Sequence, residues 1–325
     1  MAHFYQHYKH LLFNEKLSDF TAVCDGERIP LHMVVVGAQS KFFEKLSENG
    51  FAESQAKEVH FPEDDLQTLR AFLTYLYTGN YDNEPYTTIM ADTFDAGASA
   101  GRLDTTDIEP SIETNMTDSG LEDALNKLRI EPWEFAKGEP PPVGSIIVHH
   151  ALFKAVRNGQ AVSYLNIVRE LIQNLYMAID LYSMADKYMV DRLRLLARNR
   201  FFRIGLNLVT EAARRTKRGM QSPGCQEGDD IIEEIWEAIA EAIDTLYCSI
   251  PSDALMRSIP SLLLGITHVY SVMRREGVDD HDTEEPPWHE KIAALLSKYP
   301  HLKEEIDELR DNWDYVSWRR VFSIC

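Results

Sequence analysis

The chain has few cysteines. Only four occur among its 325 residues, and none forms a C-x-x-C pair. They are Cys24, Cys225, Cys248 and Cys325. Such scattered positions argue against a zinc ribbon and against a disulfide framework. We therefore expect a reducing compartment, which is the cytoplasm, the nucleus or both.

Long apolar runs are also lacking. No stretch of about 18 apolar residues occurs, so we expect no membrane partner. The first twenty residues contain no sustained apolar segment, and secretion is therefore not expected. The 52 acidic residues outnumber the 33 basic ones, giving a net charge of −19. This balance disfavours nucleic acid as a partner, because phosphates require basic groups for neutralisation.

The familiar catalytic and phosphate-binding motifs are missing, with one exception. Residues 97–101, GASAG, fit the nucleophile pattern G-x-S-x-G around Ser99. That pattern works as a strained turn between a buried strand and a helix, and neither flank supplies one. His149 and His150 are adjacent on a possible strand and would face opposite ways. We predict no enzyme activity, catalytic residue, metal, cofactor or small-molecule substrate.

What the chain does contain begins with a hairpin pattern. Apolar residues alternate through Phe20, Ala22 and Cys24, which is the period of a strand. The Asp25-Gly26 step that follows is the strongest short hairpin signal. Pro30 cannot donate to a ladder, so the returning strand is expected at an edge. The sequence KEVHFP predicts a further short strand.

Helical patterns follow the hairpin. A short helix is predicted over residues 33–36, and Ser40 is a plausible N-cap for the next helix. A longer amphipathic helix is predicted in EDDLQTLRAFLTYLYTG, with Asp64 interpreted as its cap and Gly79 as its stop. Downstream, VDRLRLLARNRFFRIGL and NLVTEAARRTKRG are interpreted as two separate helices, and the rest of the chain is predicted to be helical.

Changes in composition divide the chain. Residues 81–140 hold 14 acidic and 4 basic residues, a net charge of 4 − 14 = −10, and show no long periodicity. This acidic stretch is interpreted as a flexible insertion. The predicted divisions are an N-terminal helix at 1–16, a first domain part at 17–84, the insertion at 85–160, a second domain part with a basic helix at 161–220, and a helical C-terminal region at 221–325.

One segment has the opposite charge. Residues 192–218 hold nine basic residues and one acidic residue, a net of +8. One interpretation of this charge is a solvated helix face that the acidic insertion complements. The sharper interpretation is a nuclear-import or partner-binding patch. Its candidates are Arg214, Arg215, Lys217 and Arg218.

Taken in order, these patterns resemble a BTB/POZ domain. The phrases that carry the resemblance are SDFTAVCDGERIPLH, SKFFEKL, GFAES, KEVHFPEDD, FLTYLYTGNY and LYSMADKYMVDRLRLLA. The last phrase resembles a family helix that normally follows the helix ending in Tyr-Thr-Gly within a few tens of residues. Here the acidic stretch fills most of the gap between Gly79 and Ala185. The implied fold class is α+β, a small sheet flanked by helices, followed by an all-helical region. That region resembles the C-terminal helices of many fungal BTB proteins.

The resemblance implies a protein-interaction module. Many family members bind a cullin scaffold as adaptors of ubiquitin ligases, using a hydrophobic-x-Glu motif before the third strand. Phe51 and Glu53 occupy that place in NGFAES, a segment that looks like a turn. An aromatic anchor beside a charge is a plausible hot spot. The alternative is that Phe51 folds into the core and Glu53 is merely solvated.

Self-association is the other function that the resemblance implies. In dimerising members a basic residue after the His of the L-H phrase pairs with an Asp of the first strand. Asp19 is present as the dimer-interface candidate, but Met33 follows His32. A scaffold that only binds itself, in a nuclear or cytoplasmic complex, therefore stands as the alternative to a cullin adaptor.

Overall fold

The computed structural model of the protein describes residues 8–48, 50, 52–81, 164–219, 226–252, 254–261, 263–265 and 288–312. The chain divides into two compact units. The first contains Met1–Met116 and Asp180–Arg198, and the second contains Thr117–Ile179 and Asn199–Cys325. Each unit is described by itself.

A three-stranded sheet lies at the centre of the first unit. Its strands are β1 (Phe20–Cys24), β2 (Glu27–Leu31) and β3 (Glu58–His60). β1 pairs antiparallel with β2 and parallel with β3, so the order is β2-β1-β3. The predicted hairpin is confirmed: Asp25 has φ 48° and Gly26 has φ 78°. Two consecutive positive φ angles are those of a type I′ turn, which matches the twist of paired strands.

The burial of β1 follows the predicted alternation. Phe20, Ala22 and Cys24 are buried, and the residues between them are only partly covered. Pro30 lies opposite Thr21 on β2, which is an edge strand as predicted. Its missing N–H therefore costs the sheet no interior hydrogen bond.

Four helices of the first unit lie between residues 33 and 78. They are α1 (Met33–Val36), α2 (Lys41–Glu48), α3 (Ala52–Ala56) and α4 (Leu66–Thr78). Ser40 caps α2, because its Oγ accepts from the Phe43 amide at 3.3 Å. The predicted cap of α4 was wrong by one residue: Asp65, not Asp64, accepts from the Thr68 amide at 2.8 Å. Gly79 ends α4 at φ 75°, as predicted.

A distant segment completes the first unit. It includes the C-terminal end of α5 (Tyr164–Lys187) and the start of α6 (Asp191–Gly219). Between them the chain turns with Met189 at φ 55°, and the Val190 amide donates to the Ala185 carbonyl at 2.8 Å. This is a Schellman turn, in which a left-handed residue satisfies the last carbonyls of a helix. We call residues 187–190 the docking turn.

The second unit is built from helices. Besides parts of α5 and α6 it contains α7 (Gln226–Ser249), a 3₁₀ turn (Leu255–Ser258), α8 (Trp288–Lys298) and α9 (Pro300–Asn312). α7 and α8 pack against each other, and so do α8 and α9. Proline punctuates these helices as the sequence predicts, since Pro300 opens α9 directly after Tyr299.

Polar pairs fix the direction of three helices in the second unit. Arg169 and Tyr176 of α5 bind Glu234 and Glu241 of α7, at 2.7 and 2.9 Å. Lys291 and Lys298 of α8 bind Glu237 and Asp244 of α7 in the same way. In both sets the residue numbers rise together by seven, so α5 and α8 each run parallel to α7. The interval of seven is that of helices that cross at a shallow angle.

α6 is one continuous helix of 29 residues. The prediction of two separate helices was wrong. In the structure Gly205 lies inside the helix, where a Cβ would stand 2.5 Å from Leu263 Cδ1. Glycine at this position therefore serves close packing within the second unit and does not end the helix.

Candidate partner-binding surface

Glu53 lies in the first turn of α3, and its side chain is exposed. A carboxylate near the N-terminus of a helix is favourably placed against the helix dipole. The NGFAES segment is not a simple turn, because α3 begins at Ala52. Phe51 lies outside the described residues, so the choice between an exposed and a buried aromatic stays a prediction. α3 itself packs against α2 and β3.

Tyr188, in the docking turn, enters an aromatic pocket beside these elements. Its ring centroid lies 5.0 Å from that of Phe42, 5.3 Å from Phe61 and 5.6 Å from Phe72. These distances and the tilted or edge-on geometry are those that aromatic pairs prefer. Tyr188 therefore joins α2, the end of β3 and α4 into one core.

Polar contacts hold the same turn. The Tyr188 hydroxyl donates to the Asp64 carboxylate at 2.6 Å, and Lys187 Nζ lies 3.0 Å from it. The backbone carbonyl of Tyr188 accepts from Ser40 Oγ at 2.7 Å. Burial, together with the hydrogen bond to Asp64 and its charge, raises the pKa of Tyr188 well above its ordinary value. The hydroxyl therefore stays protonated and remains a donor at neutral pH.

Asp19 makes a contact within its own chain. Its side chain is exposed, and Oδ1 accepts from the Met33 amide at 2.9 Å. Met33 is the first residue of α1, so Asp19 satisfies one of the free amides of that helix. A role of Asp19 in a dimer interface stays a prediction.

Sequence reasoning missed a buried pair that anchors the same region. His32 is 2% exposed, and its ring lies between the Tyr77 hydroxyl at 2.9 Å and the Lys16 carbonyl at 2.8 Å. The His32 amide also donates to the Tyr77 hydroxyl. Burial raises the pKa of Tyr77 to about 12. The L-H phrase was the available signal, since a histidine next to a buried strand needs polar partners.

Large apolar side chains are exposed near α1. Leu17 is 77% and Val34 71% exposed. The contacts of Lys16 with His32 and of Asp19 with Met33 bring their two segments side by side. Both residues therefore present aliphatic surface to solvent on adjoining segments. We call Leu17 and Val34 the N-terminal apolar pair.

Other candidates fall outside what the structure describes. Ser99, His149 and His150 belong to residues 82–163, which are not described. The backbone of the basic candidates is helical within α6, but their side chains are not described, and their role stays a prediction; they are Arg214, Arg215, Lys217 and Arg218. Among the described residues, no group of three or more His, Cys, Asp or Glu is placed to hold a metal ion. Within the same ranges no helix is long and apolar enough to cross a bilayer.

The first unit thus defines a small α+β domain, with a mixed three-stranded sheet framed by short helices. Residues 8–116 match the BTB/POZ domain family. This part of the chain is therefore a BTB/POZ domain, as the sequence resemblance predicts, and such a domain is a protein-interaction module.

Three similar proteins match this chain over 62 to 71 residues. Human Kelch repeat and BTB domain-containing protein 2 is 32% identical over 71 residues, 22% of this chain and 11% of that protein. BTB/POZ domain-containing protein 9 of Drosophila melanogaster is 33% identical over 69 residues, or 21% and 9%. Kelch-like protein 2 of Rattus norvegicus is 40% identical over 62 residues, or 19% and 10%. The chain spans about a tenth of the length of these relatives.

Proposed function

We propose that this protein is an adaptor that binds a cullin scaffold of a ubiquitin ligase through its BTB/POZ domain. The observation that carries the proposal is the exposed Glu53 in the first turn of α3. Glu53 belongs to the segment that resembles the cullin-binding motif of other BTB proteins, and Phe51 is its aromatic partner. The second, helical unit recruits the protein to be modified. The adaptor is not an enzyme, and it works in the cytoplasm or the nucleus.

The local geometry supports this role physically. α3 is a single short helix, and it packs against both α2 and β3, which fixes its position. The backbone that carries Glu53 is therefore positioned before binding, so a partner need not order this helix. A charged group at an interface also speeds association and selects against partners of like charge.

Binding of the full chain to purified cullins by titration calorimetry tests the proposal. We expect a micromolar or lower Kd, raised at least about tenfold by Glu53→Lys, in line with losing a hot-spot residue. Glu304→Lys is the matched control, because Glu304 is an exposed acid of α9 in the other unit. Failure of the wild-type chain to bind any cullin would overturn the proposal. So would equal affinities for Glu53→Lys and the control.

A second function, a scaffold that binds only itself, is favoured by the N-terminal apolar pair. Leu17 and Val34 expose aliphatic surface that a second copy of the chain would bury. We expect sedimentation equilibrium to show a dimer that Val34→Asp converts to a monomer, while Val34→Thr has a smaller effect. A monomer at all concentrations would rule this function out, and it would leave the cullin proposal untouched.

A further inference from the structure

We infer that Tyr188 is a positioning residue for the candidate partner-binding surface on α3. On this inference the surface is assembled from two separate parts of the chain, and its geometry depends on docking of residues 187–190. The identity of the partner rests on the proposed function, whereas the dependence of α2 and α3 on Tyr188 can be measured without a partner.

The first link runs through the backbone to α2. Ser40 Oγ donates to the Tyr188 carbonyl while it accepts from the Phe43 amide, so one hydroxyl both anchors the docking turn and caps α2. Ser40 is 1% exposed, which leaves this hydroxyl little access to replacement partners from water. The start of α2 is therefore held in place by a residue 148 positions later in the chain.

The second link runs through side chains to both supports of α3. Phe42, on α2, contacts the Tyr188 ring edge-on, and Phe61, directly after β3, does the same. The Phe61 amide also donates to the Val23 carbonyl at 2.8 Å, which ties it to the sheet. Since α3 packs on α2 and β3, Tyr188 contacts a residue on or next to each element that supports α3.

A third link, through Asp64, fixes the position of the docking turn. Asp64 accepts from the Tyr188 hydroxyl and from Lys187, and its backbone carbonyl accepts from Cys24 Sγ at 3.1 Å. The side chain of Asp64 is 9% exposed and that of Lys187 42%. A carboxylate that is mostly removed from water holds its donors more strongly than a surface pair would. Asp64 thus fixes where the Tyr188 ring enters the pocket.

Coupling of this kind is reciprocal. A partner that prefers the docked arrangement of α2 and α3 must also tighten the docking turn, by the same factor. Anything that displaces residues 187–190 must weaken the partner. A displacement of Tyr188 would therefore change the affinity of the partner-binding surface on α3.

Hydrogen exchange on the full-length protein tests the inference directly. Tyr188→Leu removes the ring, and Tyr188→Phe removes only the hydroxyl that binds Asp64. Tyr176→Phe is the matched control, because Tyr176 lies on α5, the helix that leads into the docking turn, and donates to a carboxylate, that of Glu241, in the other unit. We expect amides of α2 and α3 to exchange at least about tenfold faster in Tyr188→Leu, a factor typical of coupling between sites. The β1–β2 hairpin should change much less.

The same variants are then titrated with a purified cullin. We expect the Kd to rise about tenfold in Tyr188→Leu, less in Tyr188→Phe, and not at all in Tyr176→Phe. Equal acceleration in the hairpin and in α2–α3 would reduce Tyr188 to an ordinary core residue and overturn the inference. If Tyr188→Leu does not fold, an unchanged exchange pattern in Tyr188→Phe overturns it instead. If no cullin binds but local exchange responds as expected, only the proposed function fails.

Discussion

Leu263 lies so close to Gly205 that adding a single methyl group there, as in Gly205→Ala, should destabilise the protein. In the middle of a helix, alanine is more favourable than glycine by about 1 kcal/mol. At Gly205 the added Cβ would lie 2.5 Å from Leu263 Cδ1, well inside contact distance. Leu263 is 1% exposed and cannot move into solvent. Overpacking of this kind costs about 1–3 kcal/mol, so we expect Gly205→Ala to be destabilising by about 1 kcal/mol.

Removing the Leu263 side chain should make Gly205→Ala stabilising instead of destabilising. Leu263→Ala alone costs about 2–5 kcal/mol, because it leaves a cavity. In that background Gly205→Ala no longer meets the leucine, and we expect it to stabilise the protein by about 1 kcal/mol. The two substitutions are thus coupled by about 2 kcal/mol, as neighbours in contact often are.

Urea unfolding followed by tryptophan fluorescence measures all four proteins of this cycle. The five tryptophans lie in the ranges that form the second unit, so the signal reports on the unit that contains Gly205. The reasoning would be refuted if Gly205→Ala stabilised both backgrounds equally, since α6 would then not require glycine for packing.

Substitutions at three further positions test electrostatic and capping contacts. Asp65→Ala should lower the stability of the first unit by about 1 kcal/mol, and Asp65→Asn should not. Hydrogen bonds from Thr68 lower the pKa of Asp65 in the folded state. Its contribution to the free energy of unfolding is therefore complete above pH 3.8 and is lost as the pH falls through the folded pKa. Urea unfolding at a series of pH values measures this loss. The raised pKa of Tyr77 favours the folded state below pH 10, so the wild type should lose stability between pH 10 and about 12 more steeply than Tyr77→Phe. Lys298→Met removes the exposed pair with Asp244 and should lower the stability only slightly, and this effect should vanish in high salt because salt screens exposed charges.

Local signals in the sequence predicted the sheet and its turns well. Alternation gave the buried face of β1, and Asp25-Gly26 gave the hairpin, because these features depend on a few neighbouring residues. Ser40 and Gly79 were likewise predictable, since capping is a property of the helix end itself. Whether Phe51 is exposed or buried could not be predicted, because exposure depends on how a side chain packs against neighbours far along the chain.

Errors arose where distant contacts decide the structure. Two helices were predicted where α6 is continuous, and the contact of Gly205 with Leu263 explains why a glycine stands inside α6. The cap of α4 was assigned to Asp64, which instead binds Lys187 and Tyr188. In both cases a residue with an obvious local use is occupied by a partner far along the chain. A single sequence does not reveal such a partner.

The separation of Ser40 from Tyr188 also has a consequence in time. Ribosomes add about 5–20 residues per second, so the 148 residues between them take roughly 7–30 s to synthesise. Until Tyr188 emerges, Phe42, Phe61 and Phe72 lack the ring that completes their pocket, although the β1–β2 hairpin is already available. A nascent chain therefore carries an unfinished aromatic core for many seconds. That interval is long compared with the folding of most small domains, so these aromatic side chains stay open to non-native contacts while the rest of the chain is made.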